Sequence, residues 1–354
     1  MLKRYKGSII CFYVLTAATL ILATFYDLAL DIRLNNPENL FALWLRNTGE
    51  VPSRLICPLA GTVLFFAAAN RWEKAAGFLF ALGGSAYLGY YFGKYFFLEE
   101  NRMPFSILWG IGFGVVALLI GSMIPHQLMK KLKAAAWIGI IAMFAQLLCV
   151  ECIKYLWGRV RFRDLLAVGN YDAFTPWFHP NGINGNKSFP SGHTAGAGMS
   201  YLMMLLPFCT DRFKRKEKLC FLLPFAYTSL VAFSRLIMGA HYLSDVAVGG
   251  AISFTIVLIA LKIYEKHFSS SRPSRLDPGP DKSSNSKKGC CSVMLWHPFA
   301  ACRSSVREEK NAQKSMVLIA FVTGAAGRCR EAEAAPAESD CVAREGIFSS
   351  RLAR

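Results

Sequence analysis

Apolar residues in this chain fall in long, nearly unbroken blocks, at 9–26, 55–69, 75–92, 105–124, 134–153, 194–209, 219–233 and 246–263, with none of the alternation of a half-buried strand. At 1.5 Å per residue, an apolar helix of roughly 20 residues crosses a hydrocarbon core of about 30 Å. The pattern therefore predicts an all-α fold, a polytopic integral-membrane helix bundle with about eight transmembrane helices. The first block follows Lys3, Arg4 and Lys6, as in a signal peptide, but no small-x-small cleavage site leads into a soluble domain. An uncleaved first span is expected. The block at 55–69 is short and carries Pro58, so it is either a span or half of a re-entrant hairpin. Ahead of it, Leu40, Phe41, Leu43, Trp44 and Leu45 stand among polar residues, the pattern of an interfacial amphipathic helix or of a solvated loop.

The connectors alternate in charge. Lys3, Arg4 and Lys6, then Arg71 and Lys74, then Lys130, Lys131 and Lys133, then Arg212, Lys214, Arg215, Lys216 and Lys218, and finally Lys262 and Lys266 occupy every second one. Short basic loops stay in the cytoplasm, so both termini are expected there, in a plasma (inner) membrane. Connectors 27–54, 94–104, 154–192 and 235–245 fall on the opposite face and hold most of the acidic residues that precede residue 268. Beyond about residue 268 the periodicity gives way to Ser, Pro and scattered charge. There the run 316–322 is too short to span, and Cys290 and Cys291 beside Lys287 and Lys288 raise palmitoylation against an inert tail. The expected division is N-terminal hairpins at 1–133, a catalytic membrane core at 134–267 and a disordered cytoplasmic tail at 268–354.

Composition narrows the class. With 54% hydrophobic residues, 18% charged and a mean hydropathy of +0.33 over 354 residues, an ordinary water-soluble protein is excluded. The net charge of +17 reads as topology in contact with membrane lipids, and no compact basic domain invites a nucleic-acid partner. The eleven cysteines are scattered, and Cys149 with Cys152 has no second pair to complete a zinc site, so no metal site is expected.

Three polar clusters interrupt the apolar pattern, all at span ends on the non-cytoplasmic side. Ionisable groups there are costly, about 2.5–3.5 kcal/mol each at a helix centre and less near the ends, so their clustering asks for a cause. The first holds Lys154, Arg159, Arg161 and Arg163, four cations where topology disfavours them. They suit either an anionic ligand or snorkelling to lipid phosphates. The second, Lys187 to His193, includes Pro190, Ser191 and Gly192 and leads straight into an apolar block. It reads as an anion site at a helix start or as a plain turn and cap. The third runs from Ser234 and Arg235 to His241 and Asp245, the last two spaced to share a helical face, either as an oriented nucleophile or as a surface pair.

Together these residues resemble the motifs of the phosphatidic acid phosphatase type 2 (PAP2) superfamily: K-x6-R-P in Lys154 and Arg161, P-S-G-H in Pro190 to His193, and S-R-x5-H-x3-D in Ser234, Arg235, His241 and Asp245. The resemblance spans about residues 134–263 and departs at Phe162, where the motif has proline. That puts the positioning of Arg161 in question, with Arg159 or Arg163 as possible substitutes. It implies a membrane lipid phosphatase that needs no metal or other cofactor and works through a phosphohistidine. His241 would be the nucleophile, Asp245 its orienting group and His193 the acid, with Lys154, Arg161, Ser191, Gly192 and Arg235 binding the phosphate. The implied partner is a lipid phosphate or diphosphate. A lipid phosphotransferase is the near alternative, and a non-catalytic anion-binding protein or transporter the distant one. The aromatic loop 164–186, with Tyr171, Phe174, Trp177 and Phe178, either rests at the headgroup level or packs over the site, and Glu151 is expected as a neighbour of Lys154.

Overall fold

The structure, a computed structural model, describes residues 1–270, and the expected tail with its cysteine pair lies outside the described residues. Helices α1 (Lys6–Leu34), α3 (Val51–Phe66), α4 (Arg71–Phe96), α5 (Arg102–Met123), α6 (His126–Trp157), α10 (Glu217–Ile237) and α11 (Leu243–Ser270) are joined by shorter pieces, and no strand occurs among the described residues. Five segments are long and apolar enough to cross a membrane: Leu2–Leu34, Glu99–Met123, His126–Val168, Glu217–Ile237 and Leu243–Lys266. Their outer faces expose large apolar side chains, among them Ile10, Val14, Ile21 and Phe25 of α1 and Ile107, Ile111 and Leu119 of α5. Such rows would be untenable in water and are at home in lipid, which makes the chain an integral membrane protein.

The other three expected spans are helical as well, each for a different reason less apolar or less regular. Helix α3 runs unbroken through Pro58, so its block is a helix and not a turn. It meets α4 closely because small residues face each other: a Cβ on Gly84 would stand 2.6 Å from Cys57 Cβ and Pro58 Cδ. The block at 194–209 departs from the expected span. It is broken into α8 (Gly192–Gly198), a 3₁₀ turn over Met199–Leu205, and α9 (Leu206–Cys209), which Pro207 opens. Glycine and alanine spacing explains this. Ala195 and Ala197 are wholly buried, a Cβ on Gly198 would come within 2.7 Å of Ser253 Cβ, and the Ser253 hydroxyl donates to the Ala195 carbonyl at 2.6 Å. The segment is thus a protein-covered centre, wrapped by α3, α6, α10 and α11.

Residues 40–48 form a real amphipathic helix, α2 (Leu40–Thr48). Asn39 caps it by accepting from the Ala42 N–H at 3.0 Å, Ala42 and Leu45 are buried, and Leu40, Phe41 and Trp44 are exposed. Phe12, Tyr201, Phe221 and Phe254 make the aromatic core that ties α1 to α10 and α11. At one end of the bundle Arg4 pairs with Glu217 at 2.8 Å and Lys133 with Glu73 at 2.7 Å. Lys154 stands at the other end of α6, about 30 Å away at 1.5 Å per residue. The basic connectors and the three polar clusters therefore occupy opposite ends.

Candidate active site

Glycine in the left-handed region directs the first strand of the site. Gly158, with φ +57°, ends α6 just after Lys154 and turns the chain so that Arg159 points inward and Arg161 opens the short helix α7 (Phe162–Val168). Phe162, in place of a proline, is buried among Leu28, Leu165, Phe174 and Tyr242, so an aromatic anchor holds the segment that carries Arg161. The aromatic loop after α7 is tied back to the protein. Trp157 Nε1 donates to the Trp177 carbonyl at 2.9 Å, Trp177 Nε1 to Thr24 Oγ1 at 3.1 Å, and Asn184 Nδ2 to the Gly158 carbonyl at 2.7 Å. It packs over this end of the bundle while leaving Phe178 exposed.

The second and third clusters meet through small residues. A Cβ on Gly249 would stand 2.5 Å from the Ser191 carbonyl, and the Ser191 N–H donates to the Asp245 carbonyl at 2.9 Å. Ser191 is buried, and its hydroxyl oxygen caps α8, accepting from the Thr194 N–H at 3.4 Å and also from Thr194 Oγ1 at 3.0 Å. It does not line the cavity. Gly192 does, and a Cβ there would be 2.8 Å from Lys154 Nζ, which also donates to Glu151 at 2.8 Å.

His241 and Asp245 do not share a helical face as their spacing suggests. Gly239, with φ +56°, breaks the chain after α10, and α11 starts only at Leu243, leaving His241 in the turn. The hydrogen bond of His241 Nδ1 is to the Ser188 carbonyl at 2.7 Å, whereas Asp245 Oδ2 lies 3.7 Å away. A carbonyl can only accept, so Nδ1 carries the proton and Nε2 keeps a free lone pair. Asp245 accepts from Ser188 Oγ at 2.5 Å, from the Tyr242 N–H at 3.1 Å and from Arg159 at 2.6 Å, so it braces the turn around His241. Burial, reinforced by Arg235 and Arg161 and opposed by Asp245, lowers the His241 pKa to about 4.

Arg159 is no substitute for Arg161. It is 0% exposed and spent on Asp245, on Asp27 of α1 at 3.0 Å, on Ser244 Oγ at 2.8 Å and on the Thr175 carbonyl at 2.9 Å, with its guanidinium over the Tyr242 ring. Arg163 instead faces the cavity with Arg161.

That cavity, of about 370 Å³, is lined by Lys154, Arg161, Arg163, Gly192, His193, Arg235, Ala240 and His241, and by Arg46, Glu50, Lys94 and Tyr95 from α2, the α2–α3 junction and α4. Asp245 lies behind it. The last four residues carry no sequence motif; their only signal was membership of connectors on the same face. Arg235 is 4% exposed and pairs with no carboxylate at salt-bridge distance among the described residues, while its Nη1 donates to Met238 Sδ at 3.7 Å. Among the described residues no group of three His, Cys, Asp or Glu side chains is arranged to hold a metal ion. A second cavity, of about 420 Å³ near Phe66, Ile124 and His126, lies at the opposite end and gathers no charged cluster.

An all-helical membrane protein with a cationic, two-histidine cavity at one end is the class that these features define. Residues 135–269 match the model of the PAP2 superfamily. No curated protein matches the chain. Among solved structures it is similar to the first transmembrane PAP2 type phosphatidylglycerolphosphate phosphatase from Bacillus subtilis. The identity is 16%, 70% of this chain and 96% of that one are covered, and the TM-score is 0.31.

Proposed function

We propose that this protein is a lipid phosphatase that hydrolyses a phosphomonoester or diphosphate at the membrane surface through a phosphohistidine, without a metal ion. The observation that carries the reading is Arg235, a buried guanidinium without a carboxylate, aimed into the same cavity as His193 and His241. A buried charge without a counterion is strongly unfavourable, and a bound phosphate is the counterion that two histidines could act upon. Lys154, Arg161 and Arg235 bind the nonbridging oxygens beside Gly192, with Arg46, Lys94 and Arg163 at the rim. His241 Nε2 attacks phosphorus, the bond to the leaving oxygen breaks, and His193 gives that oxygen a proton. Water then attacks the phosphohistidine, yields its proton to His193 and releases inorganic phosphate. Ser191 serves this site as a helix cap, and Asp245 by fixing the turn of His241.

The cavity opens at the end of helices whose flanks are apolar, which favours a phosphate carried on a lipid, such as phosphatidic acid, phosphatidylglycerol phosphate, undecaprenyl diphosphate or a lipid A phosphate. The charge alternation of the connectors assigns this end to the non-cytoplasmic face and both termini to the cytoplasm. Residues 134–267 are the catalytic core and 1–133 its supporting hairpins.

The test is phosphate release from a panel of lipid phosphates by purified protein in detergent, with and without a chelator. Release that survives chelation and vanishes in His241→Ala, with phosphate trapped on His241 of the wild type, is expected. A requirement for added magnesium, or full activity in His241→Ala, would overturn the mechanism. Transfer of the phosphoryl group to a second lipid, in place of release, would make the protein a phosphotransferase with the same first step.

A further inference from the structure

Glu50 brings a carboxylate to a cavity otherwise lined with cations, and it comes from outside the residues that match the superfamily. It stands at the junction of α2 and α3. Its Oε1 lies 3.1 Å from His193 Nδ1, with the two side chains 14% and 16% exposed, and its Oε2 pairs with Arg54. Arg54 is itself clamped over the Tyr87 ring at 4.5 Å. A glycine makes room for the side chain: a Cβ on Gly196 would be 3.2 Å from Glu50 Cγ. The remaining ring nitrogen, Nε2, sits 3.5 Å from the Tyr95 hydroxyl on the cavity side.

We infer that Glu50 is the positioning residue for proton transfer by His193: it accepts the Nδ1–H, so that Nε2 faces the leaving oxygen, and it stabilises the imidazolium that gives up the proton. The inference rests on the phosphatase reading above. A carboxylate acts this way because it cannot donate, so Nδ1 must hold a hydrogen, and its charge favours the cationic ring. As His241 Nε2 bonds to phosphorus, the electron pair of the breaking P–O bond passes to the leaving oxygen, which takes the proton from His193 Nε2. The neutral ring, still held at Nδ1, then receives a proton from the attacking water, and the electron pair of the P–N bond returns to His241. Burial alone would raise the Glu50 carboxyl, but His193, Arg54 and Lys154 outweigh it and hold the group below the usual carboxylate range. Glu50 is therefore ionised when it is needed. A purely structural role, as the partner of Arg54, makes a different prediction, because a brace does not distinguish leaving groups.

The experiment compares wild type, Glu50→Gln, His193→Gln and the double variant of the full chain on two substrates, a lipid alkyl phosphate and a lipid aryl phosphate whose phenolate departs without a proton. General acid catalysis contributes about 10²–10⁴-fold. Glu50→Gln is expected to lower kcat on the alkyl ester by about 10- to 100-fold with KM changed less than about threefold, and to spare the rate of the phenolate burst from the aryl ester, which precedes the water step that both esters share. The double variant should be no slower than His193→Gln alone. Independently of turnover and of any variant, the nitrogen-15 spectrum of wild-type His193 should report a proton on Nδ1 in both of its forms, the neutral ring that receives the water proton and the imidazolium, protonated at Nε2 as well, that supplies the leaving oxygen. An equal loss in the phenolate burst, multiplicative effects in the double variant, or a neutral ring protonated at Nε2 alone would overturn the inference. A wild type that releases phosphate from no lipid would overturn the phosphatase reading and the proton-transfer role with it, and the His193 spectrum would then decide the Glu50 contact alone. If Glu50→Gln does not accumulate as folded protein, Glu50→Asp replaces it. This variant keeps the charge one methylene short, and its loss should again spare the phenolate burst from the aryl ester.

Discussion

Which ring nitrogen of His241 is free decides what this site can do, and a main-chain carbonyl decides it. The Ser188 carbonyl holds Nδ1–H at 2.7 Å, leaving Nε2 with the free lone pair that the proposed attack on phosphorus needs. Because burial lowers the pKa of His241 to about 4, the neutral, reactive form prevails above that value, and its fraction falls tenfold for each pH unit below it. A pH profile of kcat/KM should accordingly retain its neutral-pH nucleophile down to about pH 4, and an acid limb near the ordinary histidine value of about 6.5 would contradict the assignment of that limb to His241. Arg159 carries a second prediction. Its guanidinium neutralises the buried Asp27 and Asp245, so Arg159→Met should cost about 3–5 kcal/mol in unfolding measured in detergent, by leaving two carboxylates without their cation. The motif residues were legible because their chemistry is concentrated in short runs. Ser188, Asp27 and Glu50 were not, since a lone serine, aspartate or glutamate in a connector looks like any solvated residue.

Helices pack in this protein by the exclusion of side chains. Gly89 of α4 faces Gly110 and Ser106 of α5 so closely that a Cβ would meet the Gly110 Cα at 2.6 Å, whereas Gly83 of the same helix has open space. Gly89→Leu should therefore abolish monodisperse folded protein on size-exclusion chromatography, and Gly83→Leu should leave it intact. The same economy of side chains breaks the 192–209 segment into short α and 3₁₀ pieces. Hydropathy alone reads that segment as a lipid-facing span, because alanine, glycine, methionine and leucine score as apolar whether they meet lipid or another helix. Helix α2 went the other way. Its apolar face was visible in the sequence, but whether that face formed a helix depended on the Asn39 cap and on burial of Leu45 against Ala197 and Val231.

The molecule as a whole joins two regions that the sequence divides at about residue 133. Helix α1 supplies Asp27 to Arg159 and Phe12 to the aromatic core, the α2–α3 junction supplies Glu50 to His193, and α4 supplies Lys94 and Tyr95 to the cavity. A chain limited to residues 134–267 should thus fail to accumulate as folded, active protein, while one ending at residue 270 should retain phosphate release; activity measured on both checks this. What the sequence determined by itself was the membrane bundle, the grouping of its connectors at two opposite ends and the three polar clusters. Each of these is set by local composition or by spacing within one or two turns of chain. Only the tertiary structure decided the rest: that Ser191 caps a helix while Arg159 neutralises two carboxylates, that Ser188 and not Asp245 holds the ring of His241, and that the N-terminal helices complete the cavity. Those outcomes depend on contacts between residues as far apart as Asp27 and Ser244, where close packing and charge neutralisation in a low-dielectric interior select partners that no local pattern can specify.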